Sequence, residues 1–159
     1  MSDGGRPRRR AKRRARAKRG IRYTEFVPCT ADEGLTVRGY SSVAIVDDDE
    51  SIRKALQRLL TACGTTVTTF ASGQDFIDSM SAYRPDCPIL DLDMPGMTST
   101  DVQRRLTESD MRVPVIIIAG RDDRETEARW RAAGAAAYLP KPIDERILLD
   151  TLAIVVRKD

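Results

Sequence analysis

The sequence contains no histidine, and this absence removes a whole group of chemistries. Without an imidazole, the chain cannot use histidine as a general base or as a metal ligand, which are common roles of that residue near neutral pH. It also cannot pass on a phosphoryl group from a histidine of its own. Any phosphoryl group that this protein carries must therefore come from another molecule.

Cysteines are few, and long apolar segments are missing. Cys29, Cys63 and Cys87 form no Cys-x-x-Cys pair, which argues against a disulfide framework and against a thiolate metal site, so we expect reduced thiols. No run of about 18 apolar residues occurs, and the arginine-rich N-terminus lacks the apolar region of a secretory signal. We therefore predict no membrane span and a cytoplasmic location.

Charge is distributed unevenly along the 159 residues. Residues 1–40 hold 12 Lys and Arg against 4 Asp and Glu, whereas residues 41–159 hold 15 against 20. The segment 6–19 is almost entirely Arg, Lys and Ala, and such like-charge blocks stay solvated. We predict a disordered basic tail over 1–40 and one folded domain over 41–159. The tail is either an arm that binds nucleic acid through its phosphates or an extension with no specific role.

From residue 42 onward, short apolar runs alternate five times with segments of helical periodicity, which predicts an α/β fold with a doubly wound parallel sheet. The apolar run 114–119 is typical of a strand that is buried on both faces. The sole tryptophan, Trp130, is predicted to pack against the neighbouring helix rather than to anchor a partner. The last helix is expected to bury the residues on one side, namely Ile143, Ile147, Leu148, Leu152, Val155 and Val156.

Acidic residues and one lysine stand where the apolar runs end. Asp47 and Asp48 follow the first run, Asp91 follows the third, and Lys141 follows the fifth. The carboxyl ends of parallel strands meet at one rim of a sheet, so we expect these four side chains to lie close together. Helix capping explains acids such as the neighbouring Asp49, but it does not explain Asp91 or Lys141.

A cluster of this kind predicts metal-assisted phosphoryl transfer. Two carboxylates roughly 4 Å apart repel each other by about 4 kcal/mol at an effective dielectric constant of about 20, so the acids need a cation. Hard oxygen ligands suit Mg²⁺, which takes one or two carboxylates together with a phosphate oxygen. We therefore predict Mg²⁺ as the cofactor.

These residues together resemble the receiver domain of two-component response regulators over nearly all of 42–159. The matching segments are Asp47-Asp48, Asp91-Leu92-Asp93-Met94-Pro95-Gly96-Met97, Ala133-Gly134-Ala135 and Tyr138-x-x-Lys141-Pro142. The resemblance implies the flavodoxin-like receiver fold, with five strands in the order 2-1-3-4-5. It implies a sensor histidine kinase or a histidine phosphotransfer protein as the phosphoryl donor. It further implies a downstream protein partner that docks on the fourth helix, the fifth strand and the fifth helix.

The resemblance also implies a role for each residue of the site. Asp91 would be the phosphoacceptor, and Lys141 would pair with it before transfer and with the phosphoryl oxygens afterwards. Asp48 and Asp91 would ligate Mg²⁺ directly, Asp93 would ligate it through its backbone carbonyl, and Asp47 would hold it through a water. The implied protein is a phosphoacceptor signalling domain with autophosphatase activity at most, not an enzyme.

Two positions depart from the usual pattern of this family. Ala119 stands where members carry Thr or Ser, whose hydroxyl couples the phosphoryl group to the aromatic at Tyr138, so we expect a weaker response of Tyr138. Ser99 replaces a usual glycine and would cost about 1–2 kcal/mol if that position needed a left-handed backbone. Pro142 is expected to follow a cis peptide bond, as in such domains.

Two other functions fit parts of the sequence. Asp91-Leu92-Asp93 also resembles the nucleophile and acid pair of haloacid-dehalogenase-type phosphatases, which are Mg²⁺-dependent and form an aspartyl phosphate. In that class the motif ordinarily ends the first strand, whereas here a βαβα unit precedes it. A nucleic-acid-associated regulator would use 6–19 as its binding arm. The favoured interpretation is a stand-alone receiver, because no segment for another domain follows the last helix.

Overall fold

The computed structural model describes residues 41–120 and 123–156, which form strands and helices in strict alternation. The basic tail predicted over 1–40 lies outside the described residues, so that tail and the boundary at residue 41 stay predictions. The strands are β1 Ser42–Val46, β2 Thr66–Phe70, β3 Cys87–Asp91, β4 Ile116–Ala119 and β5 Ala137–Pro140. The helices are α1 Glu50–Ala62, α2 Gly73–Ser79, α3 Ser99–Glu108, α4 Arg124–Ala132 and α5 Glu145–Val156.

The strands form one parallel sheet in the order β2-β1-β3-β4-β5, which confirms the predicted fold class and strand order. Val46 at the end of β1 lies opposite Leu90 of β3, and Asp91 lies opposite Ile118 of β4. The strand ends are therefore level with one another. Side chains that follow β1, β3 and β5 reach the same rim of the sheet.

The core consists of two layers, one on each face of the sheet. One layer joins the sheet to α2, α3 and α4 through residues such as Phe76, Val102 and Trp130. The other joins it to α1 and α5 through residues such as Leu60 and Leu152. Both faces are covered, so the strands are apolar along almost their whole length, as expected for a parallel sheet. β2 is the exception, because it is a half-exposed edge strand rich in threonine.

Trp130 packs as the sequence predicted. Its side chain is only 7% exposed, and it belongs to the layer to which α3 contributes Val102 and Leu106. Among the residues that the structure describes, every helix is too short or too polar to span a lipid bilayer.

Two expectations from the sequence are wrong. Ile147 is 52% exposed, because the buried side of α5 is formed by Leu148, Leu152 and Val155, whereas no described helix covers Ile147. Cys63 is disulfide-bonded and so is not a reduced thiol. Cys87 is free and buried, as expected. Cys29 lies outside the described residues.

Ser99 needs no left-handed backbone, so the conditional strain at this position does not arise. It is the first residue of α3, and its φ is not positive. The cap of this helix is Thr98, whose hydroxyl accepts the N–H of Asp101 while the Asp101 carboxylate accepts the N–H of Thr98. A reciprocal cap of this kind fixes where the helix begins. Ser99 is thereby placed in the helical region, where a serine is tolerated.

Candidate functional site

Three carboxylates meet at the rim where β1 and β3 end. Carboxylate oxygens of Asp47, Asp48 and Asp91 all lie within 4.8 Å of one another. Asp47 and Asp91 are each 2% exposed, whereas Asp48 is exposed to solvent. The site is therefore a largely buried pair of acids with one acid open to solvent.

Lys141 brings a positive charge to this rim from the end of β5. Its Nζ lies 3.0 Å from Asp91 Oδ1 and 3.8 Å from Asp47 Oδ2. Its backbone N–H donates to the carbonyl of Ala119 at 2.7 Å, and the peptide bond to Pro142 is cis, as the sequence predicted. These contacts hold the start of the lysine side chain against β4 and direct its ammonium towards the acids.

The charge of Lys141 is secured by its partners. Burial alone would lower the pKa of this ammonium, but its hydrogen bond to Asp91 and the negative charges of Asp47, Asp91 and Asp93 outweigh that effect. The net result is a raised pKa. Lys141 is therefore a permanent cation at physiological pH.

For Asp47, in contrast, the surroundings favour the neutral form of the side chain. Burial raises the pKa of its carboxyl group to about 6, and the neighbouring charge of Asp91 adds to this effect. The N–H of Asp49, which donates to Asp47 Oδ1 at 2.8 Å, and the charge of Lys141 both act in the other direction without cancelling it. The charge of Lys141 thus does not offset the effect of burial on this carboxyl group.

The donor set fits a divalent cation. Three carboxylates whose oxygens can converge on one point offer the hard ligands that Mg²⁺ prefers. The structure thus brings together Asp47, Asp48, Asp91 and Lys141, which the sequence expected at one rim. The ligand role of the Asp93 carbonyl stays a prediction.

Three hydrogen bonds hold Asp91 itself, two on its carboxylate and one on its backbone carbonyl. The N–H of Asp93 donates to Asp91 Oδ1 at 3.1 Å, so this oxygen is bound by both the backbone and Lys141. The hydroxyl of Ser99, which is fully buried, donates to the backbone carbonyl of Asp91. Sequence reasoning missed this role of Ser99. The serine at a usual glycine position is the available signal, but from the sequence it points to backbone strain and not to a hydrogen bond.

A further contact links the loop after β3 to the residue after β4. The N–H of Gly120 donates to Asp93 Oδ2 at 3.0 Å, and both residues are exposed. No sequence pattern indicates this bond, because it depends on the conformations of two loops and joins residues that are 27 positions apart. Asp93 therefore contributes its side chain as well as its backbone to the rim.

The two residues expected to form the switch lie behind the site. Ala119 is 1% exposed at the end of β4, and Tyr138 is 5% exposed on β5. Both belong to the core layer shared with α3 and α4. With alanine at position 119, this strand end offers no hydroxyl next to the acids. Whether phosphorylation moves Tyr138 stays a prediction.

Comparison with known proteins supports the interpretation of the motifs. A family model described as the response regulator receiver domain matches residues 43–153. The DNA-binding transcriptional regulator NtrC of Klebsiella pneumoniae is 39% identical over 112 residues, which cover 69% of this chain and 24% of that protein. The response regulator protein TmoT of Ectopseudomonas mendocina is 34% identical over 117 residues, which cover 74% of this chain and 53% of that protein.

Solved structures agree with the sequence relatives. A response regulator receiver protein from Burkholderia phymatum is 44% identical and superimposes with a TM-score of 0.66, covering 73% of this chain and 94% of that one. The match to the curated relatives is partial in one respect, since this chain spans only about a quarter of the length of the NtrC proteins. The similarity therefore concerns one domain of those regulators.

Proposed function

Because the chain belongs to the response regulator receiver domain family, we propose that it is a phosphoacceptor switch in which Asp91 receives a phosphoryl group from a phosphohistidine of another protein. The donor is a sensor histidine kinase or a histidine phosphotransfer protein. The observation that carries this proposal is the buried Asp91 carboxylate, which lies 3.0 Å from the Lys141 ammonium and beside two further acids. That arrangement combines a nucleophile, a fixed cation and a place for a metal ion.

The proposed transfer is an in-line displacement at phosphorus. A carboxylate oxygen of Asp91 attacks, an O–P bond forms, and the N–P bond of the phosphohistidine breaks. The electron pair of that bond stays on the imidazole nitrogen, which takes up a proton from solvent. Asp91 Oδ1 is held by Lys141 and by the N–H of Asp93, so these contacts orient the carboxylate for attack through its other oxygen.

Mg²⁺ is the proposed cofactor. Asp48 and Asp91 would ligate it directly, Asp47 through a water, and Asp93 through its backbone carbonyl. When bound, the ion would neutralise negative charge that develops on the phosphoryl oxygens. Lys141 supplies a further cation next to Asp91, and after transfer its ammonium would pair with the phosphoryl group.

We propose that the output surface is the face formed by α4, β5 and α5. Phosphorylation adds a charge of about −1.5 to −2 next to Lys141, which begins the loop after β5. On α5, Ile147 and Ile154 are 52% and 62% exposed and lie seven positions apart, so they can offer a partner apolar contacts on one side of the helix. The downstream partner, a stand-alone mode of action and a cytoplasmic location stay predictions.

A labelling experiment tests the acceptor. The protein is incubated with acetyl phosphate and Mg²⁺, and the intact mass is measured for the wild type and for Asp91→Asn. We expect one phosphoryl adduct on the wild type and none on the variant, while Asp86→Asn, which changes an acid outside the rim, labels like the wild type. An adduct that persists in Asp91→Asn, or a folded wild type that takes up none, contradicts the proposal.

The two alternative functions have weaker support. The relatives are named regulators, and the Asp93 carboxylate, which would be the acid of a phosphatase, is hydrogen-bonded to the N–H of Gly120. Catalytic turnover of p-nitrophenyl phosphate that is lost in Asp93→Asn would reverse this preference. The proposed nucleic-acid arm, residues 6–19, lies outside the described residues. If this arm binds nucleic acid, the binding should weaken strongly with rising salt concentration and should disappear when residues 1–40 are deleted.

A further inference from the structure

The carboxylate of Asp93, in the loop after β3, accepts a hydrogen bond from the N–H of Gly120, which follows β4. The distance between Asp93 Oδ2 and the nitrogen is 3.0 Å. We propose that this carboxylate is a displaceable anion, which occupies the Gly120 N–H while Asp91 is unmodified and gives it up to the phosphoryl group once Asp91 carries one. We call this Asp93–Gly120 contact the latch. The inference rests on the proposed function and assigns a new role to the Asp93 side chain.

Glycine at position 120 leaves space for the latch. A Cβ added there would lie 2.9 Å from Asp93 Oδ2, and among the described residues only the Asp93 carboxylate lies within 4 Å of it. The φ of Gly120 is outside the left-handed region, so the backbone does not require glycine. What glycine provides here is room for the carboxylate against the backbone of the neighbouring loop.

Geometry also makes the phosphoryl group a competitor for this N–H. Asp91 lies opposite Ile118 in the sheet, so Gly120 comes two residues beyond the point where the acceptor is aligned with β4. A phosphoryl group on Asp91 brings three strong acceptor oxygens and repels the negative charge of Asp93 on the same loop. Because Ala119 has no hydroxyl, the next donor that the end of β4 can offer is the N–H of Gly120.

Competition of this kind has a measurable size. If the latch is closed in about four molecules out of five, the Gly120 N–H is free to bind a phosphoryl oxygen in only about one molecule in five. The rate of phosphorylation is then about one fifth of the rate of a protein whose latch is always open. Opening the latch permanently should then raise the rate about fivefold. The same closed fraction should slow hydrogen exchange of this amide about fivefold.

Four variants separate the hydrogen bond from simple charge effects. Gly120→Ala keeps the N–H and the charge of Asp93, but its Cβ forces the carboxylate away. Asp93→Ala removes the carboxylate, and Asp93→Asn leaves a neutral acceptor in its place. Glu108→Gln serves as the control, because it removes one exposed acidic charge at the far end of α3.

The first measurement is hydrogen exchange of the residue-120 amide in the unphosphorylated protein, followed by NMR and divided by the intrinsic rate of each sequence. We expect exchange about fivefold faster in Asp93→Ala and Gly120→Ala than in the wild type. Asp93→Asn should lie between, and Glu108→Gln should match the wild type. Equal exchange in the wild type and in Asp93→Ala would overturn the latch.

The second measurement is the rate of phosphorylation by acetyl phosphate and Mg²⁺, followed by intact mass. Gly120→Ala and Asp93→Ala should both react about fivefold faster than the wild type, and Glu108→Gln should react at the wild-type rate. Acceleration in Asp93→Ala alone would show that Asp93 acts through its charge, which overturns the displacement. If no chain gains a phosphoryl group although the amide is protected, the proposed function fails and the displacement fails with it, while the resting contact stands.

Discussion

Lys141 offsets the negative charges of two buried carboxylates, so its substitution should lower the free energy of unfolding. In Lys141→Met the carboxylates of Asp47 and Asp91 lose the cation that lies 3.8 Å and 3.0 Å away. Since Lys141 is partly exposed to solvent, we expect a loss of about 1–2 kcal/mol in the free energy of unfolding, measured with urea at pH 7 without divalent ions.

The matched control for this change is Lys54→Met. Lys54 lies 2.8 Å from Glu50, but both side chains are more than half exposed, so the loss of stability should be much smaller than for Lys141→Met. Equal effects of the two substitutions would mean that the ammonium of Lys141 does not stabilise the acids. Addition of Mg²⁺ should reduce the difference, because a bound divalent ion takes over part of the compensation.

Ala119 is the residue at which this chain should respond least like its family. We expect Ala119→Thr to enlarge the change that phosphorylation produces in the NMR signals of the Tyr138 ring, because the added hydroxyl links the phosphoryl group to the layer in which Tyr138 lies. Ala119→Val is the control, since valine has the shape of threonine without the hydroxyl. If both variants enlarge this change in the Tyr138 signals equally, the effect comes from packing and not from the hydroxyl. If neither variant enlarges it, the absent hydroxyl at position 119 does not limit the response of Tyr138.

At the scale of single residues, the sequence predicted the site residues that lie at strand ends. It did not predict the contacts that depend on how the loops fold. Asp47, Asp91 and Lys141 follow buried strands, and in a parallel sheet the ends of such strands converge whatever the loops do. The Ser99 hydroxyl on the Asp91 carbonyl and the Asp93 carboxylate on Gly120 depend on loop conformation. No periodicity or spacing reports on such contacts, so only coordinates could reveal them.

The first turn of α3 is tied to the acceptor through Ser99. We expect Ser99→Gly, which restores the usual family residue, to destabilise the protein by about 1–2 kcal/mol. The substitution loses the hydrogen bond to the Asp91 carbonyl, worth about 1 kcal/mol, and glycine also loses more backbone freedom on folding than serine does. Urea unfolding measures the change.

Ser99→Ala separates these two contributions. Alanine loses the hydroxyl but keeps a good helix former, so the loss should be about 1 kcal/mol and smaller than for glycine. If Ser99→Gly is more stable than the wild type, the serine is strained after all, and the helical position seen in α3 does not carry the stability that we assign to it.

Helices and strands were predicted well where the apolar pattern was decisive. The run 114–119, which was expected to be a strand buried on both faces, contains β4 at Ile116–Ala119. The pattern failed for Ile147, because periodicity shows that a helix has an apolar side but does not show how wide a strip its neighbours cover. On α5 that covered strip is narrower than the apolar one.

For the molecule as a whole, the buried carboxyl group of Asp47 should contribute a stability that increases, and does not decrease, as the pH falls below 7. The pKa of Asp47 is about 6 in the folded protein, above its ordinary value of 3.8. Between these values the folded state binds more protons than the unfolded state, so stability should rise as the pH falls from about 7 to about 4. Exposed acids such as Glu50 and Asp101, whose pKa values are lowered by hydrogen bonds from Lys54 and Thr98, act in the opposite direction.

Comparison with Asp47→Asn isolates the contribution of this one group. We expect the difference in the free energy of unfolding between variant and wild type to change by on the order of 1–3 kcal/mol between pH 7 and pH 4.5, with the variant relatively more stable at pH 7. Saturating Mg²⁺ should reduce this change in the wild type, because an ion held by the cluster favours the charged carboxylate. Parallel pH profiles for the two proteins, with and without Mg²⁺, would mean that Asp47 is neither destabilised by burial nor part of a metal site.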